Sequence, residues 1–388
     1  MRTLGVAIIG TGFMDRVHLE ALRRLGSVHV RAVGGRRLEK ARALADRFGI
    51  ETAESDYRRI LEDPAVEAVH ICSPNALHFP MASAALAAGK HVLCEKPLTT
   101  TGQQAEMLVA LAREHRRRNC TCHNLRYYPM VQHMRRMREA GELGEILVAQ
   151  GTYSQDWLLY ETDWNWRVDA NAGGPLRAMS DIGSHWCDMV EHVTGQRMIS
   201  VCADLATFHK TRKRPANTTS RGSAASETFG GPAIAGDKSV DVAVSTEDFG
   251  AVLFHLSGGG RGAFTVSQVA AGCKNRLSVE IYGTKAGVAW NQERPDELWV
   301  GNRSSNNQVI LKDPALLKEG ARSYAELPGG HSEGYSDTFK QMFRRFYHSI
   351  EDAGAEPEYP EFEDGLRQLR ILEAELASHQ RRGWVDVP

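Results

Sequence analysis

The sequence lacks any apolar run near the roughly 20 residues that a membrane-spanning helix needs, and it lacks an excess of either charge. Lys and Arg together number 47, against 48 for Asp and Glu. Without a net positive field, nothing favours nucleic acid or an acidic membrane surface as a partner. The N-terminus also lacks the charged start and small-residue cleavage site of a secretory signal. These absences predict a cytoplasmic protein with no nucleic-acid or membrane partner.

Cysteine is too scarce and too unevenly spaced for a disulfide framework. The seven cysteines are odd in number and suit a reducing compartment. Cys120, Cys122 and His123 carry donor atoms that zinc accepts, but they fall in a predicted buried strand with no second Cys or His cluster nearby. We therefore expect core thiols and no metal site.

Strand and helix patterns alternate along residues 1–124. LGVAII, at residues 4–9, is a continuous apolar run, which is typical of a strand buried on both faces of a parallel sheet. Similar strand patterns recur at 28–33, 66–72 and 90–94, with helical patterns between them. A chain of 388 residues is too long for one ordinary core. We therefore predict a first domain with a doubly wound parallel sheet.

Residues 125–388 follow a different pattern and predict a second domain. Successive strand patterns between 240 and 283 are joined by glycine turns, which favours a mainly antiparallel sheet. Residues 209–239 are polar and without periodicity, so we predict a long loop there. Its basic residues favour a solvated loop over a phosphate-binding surface: Lys210, Arg212, Lys213 and Arg214.

The turn after the first strand has part of a dinucleotide-binding fingerprint. A G-x-G between a strand and a helix brings backbone N–H groups and a helix N-terminus close to a pyrophosphate, which makes candidates of Gly10, Gly12, Phe13 and Met14. Asp15 stands where the fingerprint has its third glycine. Because that glycine mainly serves close packing of the helix on the strand, we expect Asp15 to cost packing space more than it costs phosphate donors.

The end of the second strand bears on the choice between NAD and NADP. An NAD site usually places a carboxylate on the ribose 2′-hydroxyl, whereas an arginine accommodates the 2′-phosphate of NADP. The sequence offers Arg36 and Arg37 after two glycines, and no acid before Glu39. This favours NADP over NAD, although two arginines at a helix start are also compatible with a solvated face.

Two further clusters carry groups that can move protons. Glu95 and Lys96, in CEKPL, follow a predicted strand at the edge of the sheet where ligands bind. Asp181 and His185, in DIGSHWCDM, are four residues apart, so a helix presents both on one face, where a carboxylate can orient an imidazole. Taken singly, these residues are better explained as a surface Glu–Lys pair and a core histidine.

Taken together and in this order, the motifs resemble the Gfo/Idh/MocA oxidoreductase family. The resemblance spans nearly the whole chain and is carried by AIIGTGFMDRVH (7–18), ICSPNALH (71–78), CEKPL (94–98), NLRYYP (124–129) and DIGSHWCD (181–188). It implies an α/β protein with an N-terminal Rossmann domain at 1–124. It also implies a C-terminal α/β domain at 125–388, whose open sheet often forms the interface of a homo-oligomer, a dimer or a tetramer.

The resemblance also implies roles for single residues. Lys96 would polarise the substrate hydroxyl or carbonyl group, Asp181 would hydrogen-bond a sugar, and His185 would shuttle the proton. The cofactor would be lined by Ser73, Pro74, Asn75 and His78, with Glu95 and Asn124 near its ribose and nicotinamide. Arg126 and Tyr127 of the NLRYYP motif would bind substrate.

Residues 155–169, QDWLLYETDWNWRVD, are similar to pyranoside 3-dehydrogenases of that family. Trp157, Trp164 and Trp166 offer flat faces for stacking on sugar rings, or they are core residues; the sequence favours neither. Arg167, together with Asp163 and Asp169, is a candidate for recognising hydroxyl groups. We also place His331 and Tyr335 in the same pocket.

These observations predict an NAD(P)-dependent oxidoreductase that transfers hydride from a secondary hydroxyl of a sugar, glycoside or cyclitol, or runs the reverse reduction. Two alternatives stay open. The same chemistry could act on a non-sugar such as a dihydrodiol or an imine. A cofactor-bound sensor without turnover is the other alternative, and Asp15 is the residue that suggests it.

Overall fold

The computed structural model describes residues 3–216 and 239–388. Its contacts divide the chain into two units. The first unit contains Met1–Asn124, Asn171–Gly174 and Ser336–Leu369, and the second contains Leu125–Ala170, Pro175–Tyr335 and Arg370–Pro388. A boundary placed at residue 124 from the sequence does not foresee that residues 336–369 belong with the first unit.

The first unit is built on a six-stranded parallel sheet. The strands are β1 (Leu4–Ile9), β2 (Val28–Gly34), β3 (Thr52–Glu54), β4 (Ala68–Ile71), β5 (His91–Cys94) and β6 (Asn119–Thr121). The helices between them are α1 (Phe13–Arg23), α2 (Leu38–Phe48), α3 (Tyr57–Glu62), α4 (His78–Ala87) and α5 (Gly102–Glu114). The strand order is β3-β2-β1-β4-β5-β6, which is the order of a Rossmann fold. The predicted doubly wound parallel sheet is confirmed.

The position of β1 in the middle of this sheet explains its sequence. It pairs with β2 on one side and β4 on the other, and all six of its residues are buried. A strand with neighbours on both edges and helices on both faces has no face left for polar side chains, so LGVAII does not alternate.

The second unit is built on a nine-stranded sheet. Its strands are β7 (Ile146–Ser154), β8 (Met198–Ala206), β11 (Phe249–Leu256), β12 (Arg261–Ser267), β13 (Arg276–Gly283), β14 (Gly287–Asn291), β15 (Glu297–Gly301), β16 (Gln308–Leu311) and β17 (Val385–Asp386). Among the described residues only β7 and β12 pair in parallel within this sheet. The prediction of a mainly antiparallel sheet is confirmed.

Five more helices complete the described structure. They are α6 (Pro129–Glu139), α7 (Ala170–Gly173), α8 (Ser184–Thr194), α9 (Tyr335–Glu351) and α10 (Phe362–Arg381). Helix α8 packs on the sheet of the second unit, where the Trp186 ring stacks 4.4 Å from that of Phe264 and lies 5.8 Å from that of Phe254. None of the helices in residues 3–216 and 239–388 is long and apolar enough to cross a membrane.

The prediction of a long loop at residues 209–239 is partly wrong. Thr211–Pro215 and Ser239–Ala243 form an antiparallel strand pair, β9 and β10. Arg212, expected to be solvated, is fully buried. Residues 217–238 lie outside the described residues.

Candidate functional site

In the first unit, the candidate residues lie where β1, β4 and β5 end. Gly10 follows β1, and its N–H donates to the Gly34 carbonyl at 2.8 Å. A Cβ atom at Gly10 would lie 2.8 Å from the carbonyl oxygen of Cys72, which follows β4. Only glycine therefore allows these two strand ends to approach so closely. The turn then leads through Gly12 into α1.

Asp15 is bound differently from the sequence-based expectation. Its carboxylate is fully buried and accepts the backbone N–H of Gly12, which makes it the cap of α1. Gly12 N–H is one of the donors that the fingerprint offers to a phosphate. Besides the packing space that was expected as its main cost, Asp15 therefore also occupies a phosphate donor. Phe13 and Met14 are partly exposed at the first turn of α1.

The end of β2 lies next to this turn. A Cβ atom at Gly35 would meet the Thr11 side chain at 2.3 Å, so the two loops touch there. Arg36 and Arg37 follow and are both exposed. Arg37 lies 3.9 Å from Glu39, a separation at which an exposed ion pair contributes little. Both guanidinium groups are therefore accessible from solvent.

The loop after β4 is held by backbone carbonyls. The two ring nitrogens of His78 lie 2.8 Å from the Pro97 carbonyl oxygen and 2.9 Å from that of Ser73. Burial lowers the pKa of His78, and these carbonyls oppose the shift. Asn75 donates its amide N–H to the Gly173 carbonyl at 2.8 Å. His78 and Asn75 thus fix the loops that contain Ser73, Pro74 and Lys96, a positioning task that sequence reasoning did not assign to them.

Glu95 and Lys96 directly follow β5. Glu95 is buried, whereas Lys96 is half-buried. One carboxylate oxygen of Glu95 lies 2.9 Å from Nε2 of His18, and the other accepts the Lys96 backbone N–H at 3.2 Å. Asn124 donates to the Thr338 hydroxyl at 2.8 Å, which ties the end of the Rossmann segment to α9.

Three of these buried side chains offer donor atoms that could bind a metal ion. His18, Glu95 and Cys122 place their ligand atoms within 4.8 Å of one another. However, the hydrogen bond between His18 and Glu95 already uses the two atoms that an ion would need. We assign these atoms to hydrogen bonding, and the expected absence of a metal stays a prediction.

In the second unit, Asp181 and His185 lie on one continuous helical segment. Met179–Gly183 form a π-helical turn that runs into α8. Such wide turns are common at functional sites. The carboxylate of Glu247 caps this turn by accepting the N–H groups of Arg177 at 2.8 Å and Met179 at 2.9 Å.

Both oxygens of Asp181 are held by side chains. Arg167 Nε donates to one oxygen at 3.1 Å, and the Gln268 amide donates to the other at 2.9 Å. His185 packs on Tyr153, with ring centroids 6.5 Å apart. Burial first, and then the nearby Tyr128 and Asp181, raise the pKa of Tyr153, so its hydroxyl stays protonated. The site therefore combines a fixed carboxylate, an imidazole and a neutral phenol.

Gln268 connects Asp181 to a buried ion cluster. Arg177 donates to the Gln268 carbonyl oxygen at 3.2 Å, so the amide N–H₂ must face Asp181. Arg177 and Arg212 both pair with the fully buried Asp248, the latter at 2.8 Å. Burial raises the pKa of Asp248, but Arg177 and Arg212 outweigh it and lower the pKa overall. Sequence reasoning missed this cluster, since its members are isolated residues in different segments.

Two of the three tryptophans in residues 155–169, hereafter the tryptophan segment, belong to the core. Trp157 and Trp164 pack in one apolar cluster with Leu158, Val168 and Val244. This favours the core alternative for these two rings. Trp166 is only partly buried, and the Arg167 guanidinium lies over its ring at 4.5 Å. Of the three, Trp166 is the most exposed.

Arg126 and Tyr127, which the resemblance implies as substrate-binding residues, both contact other residues of the second unit. Arg126 forms a two-point ion pair with the buried Asp188 of α8, at 2.7 and 2.5 Å. Such a pair uses the planar fork of the guanidinium, which favours a structural role over substrate binding. Tyr127 is buried with its ring 5.8 Å from that of Tyr324. His331 is exposed on a loop that the buried Lys312 anchors through the His331 carbonyl, at 2.7 Å.

Comparison with protein families places both units. Residues 4–123 match the model described as oxidoreductase family, NAD-binding Rossmann fold. Residues 131–289 match the Gfo/Idh/MocA C-terminal domain.

Curated relatives include two dehydrogenases. Levoglucosan dehydrogenase of Pseudarthrobacter phenanthrenivorans is 32% identical over 403 aligned residues, which cover 100% of this chain and 99% of the relative. D-glucoside 3-dehydrogenase of Escherichia coli is 32% identical over 198 residues, covering 50% of this chain and 54% of the relative.

Solved structures of similar fold cover the whole chain. Levoglucosan dehydrogenase in complex with NADH and levoglucosan has a TM-score of 0.87 at 28% identity, with 100% of both chains covered. An inositol dehydrogenase homologue from Azotobacter vinelandii, complexed with NAD+, has a TM-score of 0.85 at 25% identity, covering 99% of this chain and 97% of that one.

We predict that Asp248→Asn strongly destabilises the protein. The change leaves two buried guanidinium groups without their shared anion, which should cost about 3 to 5 kcal/mol of unfolding free energy. Urea denaturation measures the loss. Glu297→Gln is the matched control, because its partner Arg294 is largely exposed, and it should change stability by about 1 kcal/mol or less. Equal stabilities of the two variants would contradict the role of the cluster.

Proposed function

Because this chain belongs to the Gfo/Idh/MocA family of oxidoreductases, we propose that it oxidises a secondary hydroxyl group of a sugar, glycoside or cyclitol, or reduces the matching ketone. The chain is an NAD-binding enzyme of that family. Its full-length similarity to a levoglucosan dehydrogenase supports a sugar-like substrate. The observation that carries the proposal is the geometry of Asp181, whose carboxylate is fixed by Arg167 and Gln268 one helical turn before His185.

The residues of the first unit fit a dinucleotide. The Gly10 turn admits no side chain, and the N-terminus of α1 follows it. Asp15 opposes binding, because it must release the Gly12 N–H to a phosphate. When bound, the nicotinamide ring supplies the hydride acceptor for oxidation.

The protein's own side chains provide proton transfer, charge stabilisation and substrate binding. In this proposal His185 takes the hydroxyl proton on an imidazole nitrogen, and the Lys96 ammonium group stabilises the negative charge that develops on the substrate oxygen. Asp181 hydrogen-bonds a substrate hydroxyl, and Trp166 offers an apolar face for the ring. Glu95 fixes the backbone at Lys96.

We expect Lys96→Ala to lower kcat by about 100-fold or more, since it removes a charge that matters most in the transition state. The Kd for the nucleotide should stay within about twofold, because the proposed role concerns the substrate oxygen. Steady-state kinetics and fluorescence titration measure the two quantities. Lys274→Ala, an exposed lysine paired with Asp156, is the control and should match the parent. Equal losses in kcat and nucleotide affinity would contradict this role of Lys96.

A panel of sugars, glycosides and cyclitols tests the substrate class by NAD(P)H formation. Turnover of any member supports the proposal. No turnover across the panel, with nucleotide bound, would instead favour a non-sugar substrate such as a dihydrodiol or an imine. If the protein binds neither NAD(H) nor NADP(H) at millimolar concentration, the proposed oxidoreductase activity is contradicted.

We further propose a preference for NADP over NAD, supported by the exposed Arg36 and Arg37 at the end of β2. The double variant Arg36→Ala/Arg37→Ala should raise KM for NADP+ by about tenfold and leave KM for NAD+ unchanged, since only NADP carries the 2′-phosphate. Arg113→Ala, whose partner is Glu363, serves as the control. A parent enzyme that uses NAD+ better than NADP+ would refute the preference.

The position of Asp15 leads to a separate prediction about affinity. Asp15→Asn keeps the size of the side chain and a group that can accept the Gly12 N–H, but it removes the negative charge near the phosphates. We expect the Kd for NADH or NADPH to fall about fivefold, which corresponds to roughly 1 kcal/mol of repulsion. Fluorescence titration against the parent measures the change. Weaker or unchanged binding in the variant would show that Asp15 does not compete with the phosphates.

A further inference from the structure

Four buried polar side chains form a continuous hydrogen-bond chain that starts at Glu95, directly after β5. Its other members are His18, His70 and Tyr347. Nε2 of His18 lies 2.9 Å from Oε1 of Glu95, and Nδ1 of His18 lies 2.9 Å from Nδ1 of His70. Nε2 of His70 lies 2.6 Å from the hydroxyl of Tyr347. His18 and His70 are fully buried, Tyr347 is 1% exposed and Glu95 7% exposed. All four residues belong to the first unit.

Each of these three contacts needs one hydrogen, and the end groups determine where the hydrogens lie. Within residues 3–216 and 239–388, the only polar partner of the Tyr347 hydroxyl is His70 Nε2, so a buried O–H there must donate to that nitrogen. His70 Nε2 is then an acceptor, and its other nitrogen, Nδ1, carries the proton and donates to His18.

The same logic continues to Glu95. Because His18 Nδ1 accepts from His70, His18 carries its proton on Nε2 and donates it to the Glu95 carboxylate. The reverse direction would leave the Tyr347 O–H buried without an acceptor. The four groups therefore have one consistent assignment, in which every hydrogen points from Tyr347 towards Glu95.

We propose that Tyr347, His70 and His18 form a one-directional hydrogen-bond chain that holds Glu95 as an oriented acceptor and so positions Lys96. The chain reaches Lys96 through the second carboxylate oxygen of Glu95, which accepts the Lys96 backbone N–H. Tyr347, His70 and His18 are positioning residues, since none of them needs to touch the substrate. The kinetic part of this inference rests on the proposed function of Lys96.

The surroundings of the chain support the assignment. Burial first, and then the neighbouring His18, lower the pKa of His70 far below its usual value, so the ring is neutral near pH 7. Burial raises the pKa of Glu95, but its neighbours His18, first through the hydrogen bond, and then Lys96 lower it overall. Phe339 and Phe343 of α9 cover the two imidazoles, with the Phe343 centroid 4.9 Å from His18.

Other titratable groups facing the chain are weaker partners. The Cys72 sulfur lies 3.3 Å from His18 Nδ1, and the Cys122 sulfur lies 3.8 Å from His18 Nε2. Burial raises the pKa of both thiols well above the usual value, so they stay protonated and bind weakly. The remaining titratable neighbours are Asp15, which acts on Cys72, Cys94, which lies near Glu95, and Cys120, which lies near Tyr347.

The direct test is the position of the histidine protons. In protein labelled with ¹⁵N-histidine, two-bond ¹H–¹⁵N correlations at pH 7 distinguish the two neutral tautomers, and His70→Asn together with His18→Gln assigns the signals among the 15 histidines. We expect His18 protonated on Nε2 and His70 on Nδ1. A proton on His70 Nε2, or a doubly protonated ring at pH 7, would overturn the proposal. This measurement does not depend on the substrate.

The kinetic test uses a matched pair of buried tyrosines. Tyr347→Phe removes the first donor of the chain, whereas Tyr359→Phe removes a buried hydroxyl that hydrogen-bonds Ser349 at 2.7 Å and lies outside the chain. In Tyr347→Phe we expect kcat to fall about tenfold, the size typical of lost supporting hydrogen bonds. KM for the nucleotide should be unchanged, and Tyr359→Phe should match the parent.

The pH profile separates positioning from simple loss of packing. The hydrogen bond from His18 lowers the pKa of Glu95. Without the Tyr347 donor, the two imidazoles are less firmly oriented and this hydrogen bond weakens, so the pKa of Glu95 rises and Glu95 becomes protonated at a higher pH as acid is added. The acid limb of kcat in Tyr347→Phe should therefore move up by about one pH unit. An unmoved limb, or an equal shift in Tyr359→Phe, would overturn the role of the chain. A parent without activity would refute the proposed function and leave the tautomer measurement to decide this inference.

Discussion

A carboxylate that is removed from water must be paired or hydrogen-bonded, because its burial otherwise costs several kcal/mol. This constraint fixes the candidate residues in both units. Glu95 is held by His18 and by the Lys96 backbone, and Asp181 is held by Arg167 and Gln268. In each case hydrogen bonds engage both oxygens, so the carboxylate cannot rotate freely. Lys96 directly follows one of these acids in the chain, and a single helical turn separates the other from the imidazole proposed as the base.

The same constraint also shapes the segment at residues 155–169 that contains three tryptophans. Arg212 enters the core because Asp248 neutralises it, and its remaining donors bind the carbonyls of Leu158 at 2.8 Å and Tyr160 at 2.8 Å. These hydrogen bonds from the guanidinium fix the backbone of the tryptophan segment at Leu158 and Tyr160. It also keeps that segment folded inward, which leaves Trp166 as its partly exposed tryptophan. A buried ion pair thereby stabilises the tryptophan segment in addition to the apolar packing of Trp157 and Trp164.

Local patterns predict the fold well, and they predict the partners of single side chains poorly. LGVAII and the alternation that follows it are sufficient for the parallel sheet, because burial on both faces acts on each strand separately. Arg212 looked solvated, since its partner Asp248 is 36 residues away and only tertiary packing brings the two together. His78 was assigned to the cofactor, yet it binds two carbonyls, and a carbonyl leaves no signature in a sequence. Motifs therefore single out candidate residues without revealing which side chains and carbonyls hold them in place.

Asp15 shows how one substitution can serve two purposes at a binding loop. Its carboxylate accepts the Gly12 N–H, so this donor is satisfied and the start of α1 is capped without a phosphate. An N-terminal cap contributes about 1 kcal/mol to helix stability. A phosphate that takes over this N–H exchanges one hydrogen bond for another, so the net cost of binding is the lost cap and the repulsion between two anions. The Asp15 hydrogen bond thus satisfies the loop without a phosphate, and it sets a free-energy cost for any anion that binds at the same N–H.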